Sequence, residues 1–287
     1  MQNSFKGWGS GLMAVIVFSG SMPATRLAVL GISPLLLTCA RALIAGLLAA
    51  LLLAALRQPL PTGRQWQKLS VVAGCCVIGF PLLSALALQH MSSARSLVFM
   101  GLLPLSTAIF GVIRAGERPS PAFWIFALIG ALAVGGFALT NDGHSSAAGD
   151  GLMILAIAVC GLGYAEGAVL TRELGGWQVI SWALALCIPL AALGAIQFWP
   201  QAGLGTIGTS SWLGLAYVSV FSMLVGFIFW YRGLSLGGIA RVGQLQLLQP
   251  FLGLGLASVL LNEHVSSLML AATMVVIGSV AGAKRFA

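Results

Sequence analysis

Apolar runs of about twenty residues follow one another along nearly the whole chain. A helix needs about 20 apolar residues to cross roughly 30 Å of hydrocarbon, and the runs lack the alternating pattern of a transmembrane β-barrel. With 59% hydrophobic and 7% charged residues, the chain has too little polar material to cover a soluble globule of 287 residues. The sequence therefore predicts an all-α, polytopic membrane protein.

Ten transmembrane helices account for these runs, and only short connections such as "RQPLPTGRQWQK" and "NDGHSSAAGDG" remain between them. The N-terminal stretch resembles a secretory signal, because Lys6 precedes a short apolar run. Nothing resembling a soluble mature protein follows it, so we interpret it as the first span. The expected spans are residues 7–29, 33–56, 68–89, 94–114, 121–140, 150–171, 177–198, 211–232, 239–261 and 265–283.

Lys and Arg residues fall mostly on one side of the predicted membrane. Eleven lie at span ends on one side, only Arg26 and Arg95 lie on the other, and Arg41 lies inside a span. Because positively charged loops stay in the cytoplasm, we expect both termini to be cytoplasmic. The same distribution explains the net charge of +8 without a nucleic-acid partner.

One phrase occurs twice in the chain. "ARSLVFMGLLP" at residues 94–104 matches "ARVGQLQLLQP" at residues 240–250 at four of eleven positions, and the same offset of 146 places Glu117 on Glu263. This offset aligns predicted spans three to five with spans eight to ten without a gap. We therefore expect two repeats of five helices, residues 1–143 and 144–287. Because five is odd, the second repeat is inverted, and inverted repeats are typical of transporters with a central site.

Several motifs of the chain resemble those of one family. They are an Arg early in the second span ("TCARALIAG") and a Glu-containing turn before the last helix of each half ("GERPSPAFWIFALIG", "NEHVSSLMLAATMVVIG"). Their order and duplication resemble the EamA-type branch of the drug/metabolite transporter superfamily, over essentially the whole chain. The resemblance implies a bacterial inner-membrane exporter of small metabolites, most similar to the exporters of aromatic amino acids.

In such exporters the cavity is lined mainly by helices three, four, eight and nine, with help from one and six. One branch carries bulky aromatic residues before the proline of the fourth helix, where this chain has Gly101, Leu102 and Leu103. The substrate therefore stays open at this stage. No Glu occurs in the first span, so the coupling scheme of the small multidrug transporters does not carry over, and facilitated diffusion or another coupling group remains.

Three glutamines interrupt the apolar ninth span. A buried amide without a partner in lipid costs roughly 1 to 3 kcal/mol, so Gln244, Gln246 and Gln249 should face protein or water. Gln246 and Gln249 share a helix face, whereas Gln244 points away from Gln246, so the three cannot enter one pocket. Both interhelical hydrogen bonding and contact with a substrate fit this pattern.

Tyr164 and Glu166 lie within the sixth span, where a carboxylate is expected either to bind a substrate or proton or to pair with Arg172 or another inner-face base. His90 ends the third span as a solvated ring, a ligand or a gate. Aromatic and sulfur side chains could stack on a substrate. The remaining cavity candidates are Phe99, Met100, Trp182 and Trp230.

Two prolines and one arginine are interpreted by their position inside spans. Pro104 and Pro250, at matched positions, should bend their helices as simple kinks or as hinges of the cavity. Arg41, about two turns into the second span, is interpreted as a structural charge tied to helix ends or backbone carbonyls.

Other classes of function lack their motifs. "GLGTIG" at residues 203–208 fits GxGxxG but follows no strand, and no phosphate loop, HExxH or Ser/His/Asp grouping is present. We predict no cofactor, metal or disulfide, and no catalysis. The alternatives to amino-acid export are another substrate, uptake instead of export, and a membrane enzyme or scaffold acting on lipids. Two fused halves make a monomer the expected state.

Overall fold

The protein is all-helical in a computed structural model that describes residues 2–115, 120–139, 146–200, 203–237 and 243–285. No strand occurs among these residues, which confirms the all-α part of the predicted fold class. The α-helices are α1 Gln2–Ser19, α2 Ser21–Val29, α3 Pro34–Ala55, α4 Gly63–Val72, α5 Phe80–His90, α6 Ser93–Met100, α7 Leu103–Ala115, α8 Pro121–Ala138, α9 Ala147–Leu174, α10 Gly176–Gln197, α11 Thr209–Ala216, α12 Gly226–Gly237, α13 Gln249–Leu261 and α14 Ser267–Arg285.

Within the described part of the chain, eight helical segments are long and apolar enough to cross a membrane, and two shorter apolar helices follow near the C-terminus. The shorter helices, Leu245–Leu261 and Ser267–Ser279, fall where the ninth and tenth spans were expected. Length and composition alone therefore support eight of the ten predicted spans. The long segments are Lys6–Val29, Pro34–Ala55, Gly63–His90, Ser93–Arg114, Pro121–Ala138, Ala147–Leu174, Gly176–Gln197 and Thr209–Gly233.

Short polar residues begin several of these helices. Ser33 precedes Pro34 and accepts a hydrogen bond from the backbone of Leu36, and Ser92 and Ser146 cap α6 and α9 in the same way. A side-chain oxygen at this position satisfies a backbone donor that the first helical turn leaves free. Only Gly175, with φ of 93°, separates α9 from α10. These caps therefore help to fix the residues at which α3, α6 and α9 begin.

The first helix of each predicted repeat packs against helices of the other repeat. The helix α9 packs along α4, α5 and α7, whereas α1 packs along α12 and α13. The other large contacts join α3 to α10 and α8 to α14. We call α4 to α7 with α9 the α9 bundle, and α11 to α13 with α1 and α2 the α1 bundle. The arrangement places one bundle on each side of the centre.

The central helices are irregular. A π-helical segment, Ala73–Gly79, separates α4 from α5, and a second, Tyr217–Val225, separates α11 from α12. The predicted fourth span is interrupted at residues 101 and 102, so that Pro104 is the second residue of α7. Likewise Pro250 is the second residue of α13, directly after the 3-10 helix Gly243–Leu248. Both prolines therefore lie where a helix restarts, and each irregularity occurs in both repeats.

Candidate functional site

A narrow cavity lies between the two bundles. Its volume is about 30 Å³, and a buried water needs roughly 10 to 15 Å³ of such space, so the cavity has room for about two or three waters at most. Its walls come from α1, α2, α3, α5, α6, α9, α12, α13 and the two π-helical segments. The lining residues are Phe18, Ser21, Met22, Arg41, Cys76, Phe80, Pro81, Met100, Tyr164, Ser222, Met223, Phe227 and Gln249.

Matched positions of the two repeats face this cavity. Cys76 and Ser222 are 146 residues apart, as are Pro81 and Phe227, and all four line the cavity. Cys76 and Ser222 both lie within the π-helical segments. Because a π-turn inserts one residue and shifts the register after it, the segments decide which side chains of the third and eighth predicted spans point inward. These four lining residues are therefore related by the same offset of 146 residues as the repeated phrase.

Aromatic rings form one wall of the cavity. The ring of Phe227 contacts Phe18 and Tyr164 edge to face, with centroid distances of 5.3 and 5.8 Å. Trp230 is buried behind them, 6.3 Å from both Phe18 and Tyr164. Edge-to-face pairs hold rings in defined orientations. The wall thus offers a fixed apolar surface to whatever occupies the cavity.

Arg41 is the one charged residue among the lining side chains. It is 95% buried, since only 5% of its surface is exposed. Its Nη2 donates one long hydrogen bond, 3.4 Å, to the backbone oxygen of Val218 in the second π-helical segment. Its Nε is buried without a partner. The backbone tie expected from the sequence is therefore present but weak, and the guanidinium lies at the cavity.

The glutamines of the ninth predicted span occupy different surroundings. Gln249 lines the cavity and donates from Nε2 to the backbone oxygen of Phe18 at 3.5 Å. Gln246 is buried in the 3-10 helix, and its Nε2 has no partner. The side chain of Gln244 lies outside the described residues.

Of the other predicted cavity residues, Met100 and Tyr164 line the cavity and five lie elsewhere. Phe99 is buried against Phe137 at a centroid distance of 6.2 Å. Trp182 packs edge to face on Trp66, and His90 is exposed at the end of α5. The structure thus brings together Met100, Tyr164 and Gln249, with Trp230 directly behind.

Glu166 lies outside the cavity lining and is paired. Its Oε2 accepts from both Nε and Nη2 of Arg114, at 2.9 and 2.8 Å. Arg172, the base considered from the sequence, is not the partner found. The pair joins α9 to the end of α7, and Lys68 with Glu173 joins α9 to α4 at the same end.

At the other end of the bundles, a buried ion pair and a helix cap connect the helices. Arg95 is fully buried and donates to both carboxylate oxygens of Asp150 at 2.9 and 2.7 Å. Glu263, which follows α13, accepts from the backbone nitrogens of Ser93 and Ala94 at 3.0 and 2.7 Å. A carboxylate at a helix N-terminus accepts hydrogen bonds from free backbone N–H groups, and it interacts favourably with the positive end of the helix dipole. This cap is a contact between the two bundles.

Sequence reasoning missed most of the lining, namely Phe18, Ser21, Met22, Cys76, Phe80, Pro81, Ser222, Met223 and Phe227. The offset of 146 carried a partial signal, because it relates Cys76 to Ser222 and Pro81 to Phe227, and all four line the cavity. Apolar or small residues inside an apolar span give no other indication.

Comparison with known proteins agrees with this architecture. The EamA-like transporter family matches the chain twice, over residues 6–139 and over residues 147–283. The chain belongs to this family. The EamA resemblance inferred from the motifs is thereby confirmed at the level of the family, and the protein is a multi-pass membrane transporter.

Two known proteins match this EamA protein over all or nearly all of its length. "Uncharacterized transporter YdeK" of Bacillus subtilis (strain 168) is 58% identical over 287 residues, which is 100% of both chains. A solved crystal structure superposes with a TM-score of 0.65 over 96% of both chains at 23% identity. At that identity the likeness shows the fold alone.

Proposed function

We propose that the chain is a secondary transporter that exports amino acids, aromatic ones included, or related small metabolites across the bacterial inner membrane. The observation that carries the proposal is the cavity wall built from matched residues of both repeats. Two similar halves around one hollow can exchange conformations, so that the hollow opens first to one side and then to the other. The narrow cavity fits a conformer in which a substrate cannot yet enter.

The proposed site consists of the predicted residues at the cavity and their neighbours. Met100, Tyr164 and Gln249 are the proposed contacts with substrate, and Trp230 supports Tyr164 from behind. Gln246 lies three residues before Gln249 in the sequence, and its buried Nε2 donor has no partner. We do not include Phe99, Trp182 or Glu166, because their rings or carboxylate have other partners.

The proposed orientation places both termini in the cytoplasm. It rests on the eleven Lys and Arg residues at one side against two at the other. Single cysteines at Ser145 and Gly205, in a chain without its five native cysteines, should react with a membrane-impermeant maleimide added to intact cells. Cysteines at the termini should react only after lysis, and the reverse pattern would exclude the proposed orientation. Labelling of residues 145 and 205 from opposite sides, or of the two termini from opposite sides, would exclude the ten-span, inverted arrangement.

Counterflow into proteoliposomes tests transport itself. Purified protein should exchange a radiolabelled aromatic amino acid against an internal unlabelled pool, and protein-free liposomes should not. A panel with other amino acids, sugars and cationic drugs separates substrate classes, while a preset gradient in either direction tests export against uptake. Lack of movement of every compound under every gradient would reject the proposal. Because both cavity walls come from one chain, we propose a monomer in contact with lipid.

A further inference from the structure

We infer that Arg41 is the group that binds the substrate, through a carboxylate, and that the substrates are small amphipathic monocarboxylates whose amino group is dispensable. The inference rests on the proposed transport function and specifies its chemistry. Three features of the cavity carry it: an uncompensated buried cation, free hydrogen-bond donors, and an aromatic wall.

The charge of Arg41 has no counter-ion among the described residues. The four acidic residues described are all bound elsewhere: Asp150 by Arg95, Glu166 by Arg114, Glu173 by Lys68, and Glu263 by the start of α6. A buried charge without a partner is costly, and in a membrane protein such a group is expected to face a cavity or an ion pathway. An anion in the cavity would remove this cost.

The hydrogen-bonding capacity of Arg41 is also largely unused. A guanidinium carries five N–H donors in a planar fork that fits the two oxygens of a carboxylate. The one hydrogen bond that it makes to the described residues, to Val218, is 3.4 Å long, and Nε is buried and unpaired. The contrast with Arg95 is sharp, because that guanidinium holds both oxygens of Asp150 within 2.9 Å. Arg41 therefore has the geometry of a carboxylate receptor without its carboxylate.

The remaining lining decides what else the substrate carries. Ser21 and Ser222 share one hydrogen bond of 2.7 Å across the cavity, which leaves one hydroxyl proton free to donate. Phe18, Tyr164 and Phe227 offer an apolar aromatic surface. Among the described residues, no carboxylate lines the cavity to pair with an ammonium. The lining thus selects an anionic head with an apolar body, and the amino group of an amino acid contributes little.

Binding to the purified full-length chain tests this selection with four related probes. Phenylalanine and 3-phenylpropionate carry the carboxylate, whereas phenylalaninamide and phenethylamine lack it. We expect both carboxylates to bind about 10- to 100-fold more tightly than the other two, the range of a charge-assisted hydrogen-bonded pair. Equal binding of phenethylamine and phenylalanine, or failure of 3-phenylpropionate to compete, would overturn the inference.

Arg41→Gln should abolish this preference for carboxylates, and Arg41→Lys should keep part of it. Lys68→Gln, which removes one positive charge outside the cavity, is the matched control and should leave the preference unchanged. Arg41→Gln should also unfold at an equal or higher temperature than the parent chain, because it removes an uncompensated buried charge. An unchanged preference in Arg41→Gln, or a large fall in its melting temperature, would identify a structural residue instead.

Two further results separate the possible failures. Stabilisation by chloride alone, with no effect of either carboxylate, would show an inorganic anion site and overturn the inference. Carboxylate binding that depends on Arg41, without counterflow of any probe, would support the site and reject the proposed transport. Counterflow that shows no carboxylate preference would reject the site and leave transport standing.

Discussion

At the scale of single residues, the chain contains two buried arginines with opposite surroundings. Arg95 is fully buried, bound by Asp150 and stacked near the ring of Phe137 at 4.8 Å, whereas Arg41 faces a cavity. A paired buried charge stabilises a fold only while both partners are present. An unpaired one is retained at a cost to stability, which is common at functional sites.

Arg95→Gln or Asp150→Asn is expected to lower the free energy of unfolding by about 3 to 5 kcal/mol, because each leaves one buried partner uncompensated. Unfolding in mixed detergent micelles, followed by circular dichroism, measures the change. Lys68→Gln breaks a partly exposed pair and should leave the unfolding midpoint unchanged. Similar losses in all three variants would contradict the distinction between buried and exposed pairs.

Gln246→Met should raise the free energy of unfolding by about 1 to 3 kcal/mol, because the buried amide donor of Gln246 has no partner. Met is the residue at the matched position 100, so the change copies the other repeat. The same unfolding assay applies, and Gln249→Met serves as the control because Gln249 already donates to Phe18. A loss of stability in Gln246→Met would show that the amide has a partner after all.

The sequence indicated these polar residues but not their neighbours. A Gln or Arg inside an apolar run needs a partner on energetic grounds, which identified Gln246, Gln249 and Arg41 as notable. Which helix supplies the partner depends on packing between distant segments, and no local pattern encodes it. Glu166 shows the same limit, since its partner Arg114 lies 52 residues away.

At the scale of elements, the apolar runs predicted the helices and left their irregularities hidden. Run length limits where a segment can cross a bilayer, so each predicted span contains α-helix in the described residues, although the fourth is interrupted. A π-turn changes the register without changing hydropathy, so Ala73–Gly79 and Tyr217–Val225 gave no signal. The interruption before α7 was closer to prediction, because a proline at position 104 disfavours a continuous straight helix there.

Gly79→Ala is expected to cost about 1 to 3 kcal/mol and to slow counterflow. A methyl group there would lie 2.8 Å from the carbonyl oxygen of Gly74 and 2.8 Å from Val159, and relief of this crowding would displace the adjoining Phe80 and Pro81. Gly74→Ala, in the same π-helical segment, meets no atom within 4 Å and should be neutral or stabilising by about 0.5 to 1 kcal/mol. Equal behaviour of the two variants would contradict this account.

At the scale of the whole molecule, the contacts divide the helices into two bundles that meet at the cavity. Within the α1 bundle, a methyl group on Gly31 would lie 3.3 Å from Cβ of Ser211. Between the bundles, Glu263 accepts from the hydroxyl of Ser93 at 2.8 Å. Motion of one bundle relative to the other would change the distance between Ser93 and Glu263. The distance between Gly31 and Ser211 would stay the same.

A disulfide in Gly31→Cys/Ser211→Cys is therefore expected to leave counterflow intact, since Cβ atoms in disulfides lie about 3.8 Å apart and the link stays inside one bundle. A short thiol crosslinker on Ser93→Cys/Glu263→Cys should block counterflow, because it joins the bundles. The uncrosslinked double variants control for the substitutions. Block by the first link, or full activity with the second, would show that the bundles are not the moving units.

The matched π-helical segments bear on the descent of the chain. An inserted residue changes the direction of every side chain after it in the helix. Two independent insertions at equivalent places, 146 residues apart, are therefore less probable than one. A single insertion suffices if it arose in an ancestor that corresponded to one of the two family repeats and whose gene later doubled. In that case the two bulges beside the shared cavity are copies of one.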